Sequence, residues 1–294
     1  MEPSLALGIL RQLRGGPLRE VIPSTLGEPL LWEGLDALAD AAAAAGLLLN
    51  VTTNGTWPGR GARAWGERLA PVAADLKISW NGATAATAAA IMDGLDLAAA
   101  IDGVREVAAA RDAAAARTGR RCRLSFQVTA QEGNVAELAA IVRLARDLGI
   151  DRVKVNQLQV QVPALAPRAL GASADGIRRW NGAVAAMRAA SAGGRGEAGA
   201  VALQGDVLLP ERPGERLAAG PCPFVGREGW ILAGGAFAPC PHPAAWSGEL
   251  GDFGDASRTP LRELWEGPAL RRLAEGYPDH PVCRACPFRR PGGA

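Results

Sequence analysis

Strand-like and helix-like stretches alternate five times along the first two-thirds of the chain, and that alternation restricts the fold more than any other feature. Residues 18–24, 47–55, 75–82, 121–129 and 151–160 are short and apolar, as strands are. Helical spacing of apolar residues follows them at 33–45, 60–70, in two pieces over 84–117 broken near Gly94 and Asp102, at 134–148 and at 173–190. Ser173 is a good N-cap for the last. A further amphipathic helix is read at 3–14, with Leu5, Ile9, Leu10 and Leu13 on one side. The alanine tracts at 41–45 and 106–116 belong inside helices, because alanine is the best helix former. Successive parallel strands need crossovers of a dozen or more residues, which these helices supply. The fold class is therefore α/β, a parallel barrel or open sheet with helices outside.

The formal charge of the 294 residues is only +2, with no long basic run, so nothing points to a nucleic-acid partner. No apolar run reaches about eighteen residues, the length of a membrane span. No secretory leader is apparent, so the expected compartment is the cytoplasm, where disulfides are disfavoured. A hydrophobic content of 48% suffices for a large core plus a smaller appended unit. The expected division is 1–190 as the α/β domain, 191–220 as a linker, its Ser191–Ala200 stretch rich in Gly and Ala, and 221–294 as a second domain.

In parallel α/β folds the working residues lie where strands end and loops begin. Glu28, Thr53, Asn54, Ser79, Asn81, Gln127, Thr129, Asn156 and Gln157 all fall at or near such ends. Any one of them could be a turn or cap residue, but five successive strands repeat the pattern.

Four of the five cysteines, Cys222, Cys240, Cys283 and Cys286, lie in the last quarter. The C-x-x-C of Cys283 and Cys286 sets two thiolates on one turn. A second, wider pair closing on it gives four soft ligands, suited to zinc or to an iron–sulfur cluster; spacing alone does not choose. Before Cys240, the run Trp230-Ile231-Leu232-Ala233-Gly234-Gly235 reads as one strand of a hairpin and its turn. His242 and His280 read as loop histidines, and Trp80, Trp180 and Trp246 as core or pocket walls. Cys122, alone on the fourth strand, reads as a buried structural thiol.

Residues Ser24 to Leu31, with Gly27-Glu28-Pro29 after a strand, and Thr53-Asn54-Gly55 after the next resemble the radical S-adenosylmethionine (SAM) superfamily. Leu26 stands where the usual motif has its first glycine. The resemblance continues through Lys77 to Gly82, 126–134 and 144–158, covering roughly 18–160. Cys222, the Gly235-x4-Cys240 hairpin, a helical 260–276 and Cys283-x2-Cys286 resemble the SPASM/twitch extension of that superfamily. The resemblance implies a partial parallel (β/α)6-type barrel and one auxiliary 4Fe–4S cluster on the four cysteines, iron rather than zinc, near the barrel mouth. It implies that Glu28 meets the methionyl ammonium of SAM, Thr53 and Asn54 the methionyl end, and Ser79 and Asn81 the ribose, with Gln127 and Asn156 facing the pocket. It also implies an oxidoreductase that cleaves SAM reductively to a 5′-deoxyadenosyl radical, fed by an electron donor such as a flavodoxin or ferredoxin. The substrate could be a peptide, a protein or a small molecule.

One departure is large. The C-x3-C-x2-C that holds the catalytic cluster in this superfamily is absent from the sequence. The expectation is a barrel lacking its first strand, through an N-terminally shortened chain. The alternatives are a non-catalytic iron–sulfur or SAM-binding accessory protein and a zinc-stabilised binding module.

Overall fold

The computed structural model describes residues 1–23, 27–160, 162–192, 200–212, 220–286 and 288–289. Ser24 to Leu26 of the Gly-Glu-Pro motif and most of 191–200 lie outside the described residues. The residues form two compact units, one of 19–35 with 46–215 and one of 1–18, 36–45 and 216–294.

The larger unit is built on six parallel strands in sequence order: β1 (Glu20–Val21), β2 (Leu48–Thr53), β3 (Ala73–Ser79), β4 (Arg123–Ala130), β5 (Arg152–Gln157) and β6 (Ala202–Gln204). Between and after them come α3 (Gly61–Leu69), α4 (Ala85–Ile91), α5 (Leu97–Thr118), α6 (Leu138–Asp147) and α7 (Ala174–Ser191). Helix α6 packs on β5, α7 on β6, α3 on α5, and α6 on α7.

The expected α/β class is met, with four differences in detail. The sheet has six strands where the sequence reads five. β6 lies in the stretch read as linker, and Gly205, at φ 84°, follows it. A Cβ there would sit 2.0 Å from the Val155 carbonyl oxygen, so only glycine lets this turn lie against β5. The two helices expected over 84–117 are present as α4 and α5 with the break around Gly94, but the second break, near Asp102, is absent and α5 runs through it. Asp96 caps α5, accepting from the Ala98 and Ala99 amides at 2.9 and 3.2 Å, and Asp102 pairs with Arg105 on its exposed face instead of breaking it. Third, β5 stops at Gln157, short of the expected 160. Fourth, residues 1–18, read as part of the first domain, cluster with the C-terminal residues.

That second unit holds α1 (Pro3–Gln12), the β7–β8 hairpin (Trp230–Ile231, Phe237–Ala238) and helices α8 (Pro243–Trp246), α9 (Leu261–Trp265), α10 (Pro268–Gly276) and α11 (Pro281–Arg284). Helix α2 (Leu35–Ala44) mostly falls here as well. Ile9 of α1 shares a core with Phe237, Leu250, Phe253, Leu270 and Leu273, and Gln12 accepts from the Leu261 amide at 3.0 Å. The apolar side of α1 thus finds its burial on the C-terminal helices, which explains the regrouping. Among the described residues no helix is long and apolar enough to cross a membrane.

Candidate functional site

Side chains alternate across a strand, and residues paired in register share a face. One face of the large sheet carries Val51, Leu76, Ile78, Phe126, Val128 and Val153, all buried. The other carries Asn50, Thr52, Asp75, Lys77, Ser79, Ser125, Gln127, Thr129, Arg152, Lys154 and Asn156, in register across four strands. The sheet therefore has an oily side and a polar side.

Of the residues picked from sequence, Ser79, Gln127 and Asn156 lie on the polar side. Thr53 does not. It pairs with Ile78 on the oily side, is buried, and its hydroxyl accepts from the Gly55 amide at 3.2 Å. Its hydroxyl thus shapes the turn after β2, on the face opposite Ser79, Gln127 and Asn156. Asn81 is also committed: its Oδ1 accepts from the Thr129 amide at 2.8 Å, and its carbonyl accepts from Asn134 Nδ2 at 3.0 Å. Buried Asn134 also donates to the Thr129 carbonyl at 3.0 Å. These bonds fix the ends of β3 and β4 to each other.

Glu28 and Asn54 come together. Glu28 Oε1 accepts from the Leu30 amide at 3.1 Å, capping the 3-10 turn Pro29–Leu31, and Oε2 accepts from the Asn54 amide at 2.7 Å. Asn54 Oδ1 in turn accepts from Thr56. A carboxylate has about four acceptor positions, so Glu28 keeps capacity for a ligand cation.

Sequence reasoning overlooked the charged residues deeper on the polar side. Asp75, nearly buried, accepts from Ser125 Oγ at 2.7 Å and pairs with Arg152. Lys77 is half-buried, and desolvation, then the neighbouring Lys154 charge, holds its pKa below the usual lysine value. The period-two run Asp75, Lys77, Ser79 was the available signal.

In the smaller unit Cys222, Cys240, Cys283 and Cys286 line one small cavity with Phe224, Val225, His242, Leu250, Val282, Phe288 and Arg289. The hairpin delivers Cys240. Gly235 has φ 106°, and a Cβ there would lie 2.5 Å from Asp255 Oδ1. The close approach lets the Ala256 amide donate to the Gly235 carbonyl at 2.8 Å. The short helix α11 delivers Cys283 and turns into Cys286.

The surroundings are arranged for sulfur that carries negative charge. The Val225 amide donates to Cys222 Sγ at 3.4 Å. Backbone amides of His242, and of Phe288 and Arg289, favour the thiolates of Cys240 and Cys286 respectively. Burial and the other cysteines oppose them: desolvation first, then the neighbouring thiols, push Cys240 up to about 11. Four mutually opposed thiols with inward amide donors fit a cationic centre. Among the described residues no three His, Cys, Asp or Glu side chains gather closely enough for a single ion. His242 Nδ1 accepts from the Ala244 amide at 3.1 Å, so it caps α8. Cys122 is buried, donates to the Arg123 carbonyl at 3.3 Å, and is pushed up to about 12 by its burial.

Residues 222–287 match the family model of SPASM, an iron–sulfur cluster-binding domain. The fold matches that of Streptococcus suis SuiB, with a TM-score of 0.64 and 18% identity over 94% of this chain. SuiB bound to the precursor peptide SuiA gives 0.58 and 16% over 93%. Native anSMEcpe with bound S-adenosylmethionine and the Kp18Cys peptide gives 0.63 and 12% over 100% of this chain and 83% of its own. The chain spans about three-fifths of the SuiB structures' length, 62% and 60% in these two. No curated protein matches the sequence. The expected SPASM resemblance is thus met in the domain match over 222–287, and the fold of the chain matches the folds of SuiB and anSMEcpe.

Proposed function

We propose that the chain is a radical SAM/SPASM-type iron–sulfur protein. Its polar sheet face and the Glu28 turn take S-adenosylmethionine, and its four C-terminal cysteines hold an auxiliary 4Fe–4S cluster. The observation that carries the reading is that thiols from two arms, more than forty residues apart in sequence, line a single cavity furnished with amide donors.

Glu28 would receive the methionyl ammonium through a charge-assisted hydrogen bond while its backbone bonds hold the carboxylate still. Asn54 would position that end of the ligand. Ser79, Gln127 and Asn156 would contact the remainder, with Asn81 and Thr53 shaping the loops. When bound, a reduced catalytic 4Fe–4S cluster supplies the electron that cleaves SAM to methionine and a 5′-deoxyadenosyl radical able to take hydrogen from a substrate. The three thiolates of a C-x3-C-x2-C that would hold that cluster are not in this sequence, so no step of the cleavage is assigned to these residues. A 4Fe–4S cluster held by all four of Cys222, Cys240, Cys283 and Cys286 would have no iron left open for a substrate, which favours electron transfer or structural support over substrate ligation. A peptide is the first substrate class to try, given the peptides bound by SuiB and anSMEcpe. A flavodoxin or ferredoxin is the electron donor to try, in the reducing cytoplasm.

Anaerobic purification with iron, sulfide and zinc analysis tests the cluster; about four irons per chain are expected. One zinc per chain without a brown chromophore would replace this reading with a zinc-stabilised module. A second reading, a SAM-binding protein without radical chemistry, is favoured by the cysteine count. Dithionite with SAM separates them: release of 5′-deoxyadenosine supports catalysis, and SAM binding without it supports the accessory role.

A further inference from the structure

Arg289 is the only side chain with a permanent charge lining the four-cysteine cavity among the described residues. It is half-buried and tightly held. Nε donates to the Gly220 carbonyl at 2.8 Å, two residues before Cys222, and Nη1 donates to the Cys283 carbonyl at 3.2 Å. Its guanidinium lies 5.2 Å from the centroid of the Tyr277 ring, whose hydroxyl accepts from the Cys222 amide at 3.2 Å. One cation therefore bridges both sulfur arms. Its hydrogen bonds go to carbonyl oxygens, and among the described residues no carboxylate pairs with it, so its charge remains to act on the cavity.

A fixed cation in the wall of the cavity stabilises added negative charge on whatever the sulfurs hold. One-electron reduction of a cysteine-held cluster adds one negative charge and, with no base in the lining beyond His242, need take up no proton. Reduction potential follows net charge, hydrogen bonds to sulfur and solvent exposure, and a fixed cation in a half-buried site is poorly screened.

We propose that Arg289 is a positioning residue that sets the reduction potential of the auxiliary cluster, holding it higher than the four thiolates alone would, while fastening the Cys222 arm to the C-x-x-C turn. The inference rests on the proposed cluster assignment.

The test is a dithionite titration followed by electron paramagnetic resonance, on the full chain loaded anaerobically. It compares the wild type with Arg289→Gln, which removes the charge, and Arg289→Lys, which keeps it but loses the fork. Iron analysis accompanies each. With full iron, Arg289→Gln should move the potential negative, and Arg289→Lys should stay with the wild type. An unchanged potential in Arg289→Gln at full loading, or equal shifts in both variants, overturns the proposal. If Arg289→Gln holds no iron, Arg289→Lys decides. Full iron at the wild-type potential supports the charge, and any other result reduces the residue to a staple and overturns it. A wild type without iron would instead defeat the cluster assignment itself.

Discussion

The Glu28 carboxylate accepts a hydrogen bond from the backbone amide of Asn54 at 2.7 Å, joining the loop after β1 to the loop after β2. The same carboxylate caps the turn that follows it. A loop glutamate that is free to swing pays rotamer entropy on meeting a cation; this one is already fixed.

Glu28→Gln should weaken SAM binding. The amide loses the charge, and its NH2 would face either the Leu30 or the Asn54 N–H, donor against donor. A hydrogen bond to a charged group contributes about 1.5–3 kcal/mol, so the dissociation constant should rise about 10- to 150-fold. Calorimetry with SAM checks this. An unchanged constant would remove Glu28 from the ligand site.

The hairpin makes a second prediction. Gly235→Ala forces a left-handed residue, and its Cβ would crowd Asp255 Oδ1 at 2.5 Å. Left-handed geometry costs about 1–2 kcal/mol for an L residue, and overpacking typically 1–3. A loss of about 2–5 kcal/mol is expected in the C-terminal unit, with less iron retained. Urea unfolding followed by Trp230 and Trp246 fluorescence measures it.

The thiols give a pH prediction for the iron-free protein. Alkylation proceeds through the thiolate. At pH 8 a thiol at 9 is about one-tenth ionised and one at about 11 about one-thousandth, so Cys240 should react about 100-fold more slowly than an ordinary thiol. Its rate should climb tenfold per pH unit and level off only above about pH 11. Cys122, at about 12, should lag further. Peptide mapping after timed iodoacetamide exposure reads both. A fast Cys240 would mean that burial and its sulfur neighbours do not act as described.

Cys283→Ser removes one of four ligands, and metal binding is coupled to folding of such sites. Iron should fall from about four per chain toward none, and residues 222–286 should become more sensitive to protease. Iron and protease resistance both at wild-type level would sink the ligand assignment.

Much of the larger unit could be read in advance because its strands are apolar runs and its helices are alanine-rich or well capped, as Ser173 and Asp96 show. β6 escaped because three residues between a glycine-rich stretch and Gly205 carry no periodicity; its pairing with β5 is what makes it a strand. β5 was overextended because the alternation of Gln157 to Val162 outlasts its partners. Position near a strand end identified Ser79, Gln127 and Asn156, since strand parity puts them on the polar face. It could not show that Thr53, one residue out of phase, lies on the other face, or that the Asn81 amide serves a neighbouring strand. The four cysteines were the clearest signal, whereas Arg289 gave none: an arginine three residues past a C-x-x-C looks like any surface charge until its carbonyl partners are seen.

Asp75 offers a test of the polar sheet face itself. Its side chain is 5% exposed and holds both Ser125 and Arg152, whose side chain is 16% exposed. Removing one member of a buried pair strands the other and costs about 3–5 kcal/mol. Arg152 can turn partly toward water, so Asp75→Ala should fall at the lower end of that range. The same carboxylate raises the Lys77 pKa against desolvation and Lys154. With it gone, Lys77 should deprotonate at lower pH than in the wild type, whereas a mere packing defect would leave that titration where it was. Urea unfolding gives the first quantity and the side-chain NMR titration of Lys77 the second. Loss of stability without a downward move of Lys77 would show that the charges on this face do not act on one another as their register implies.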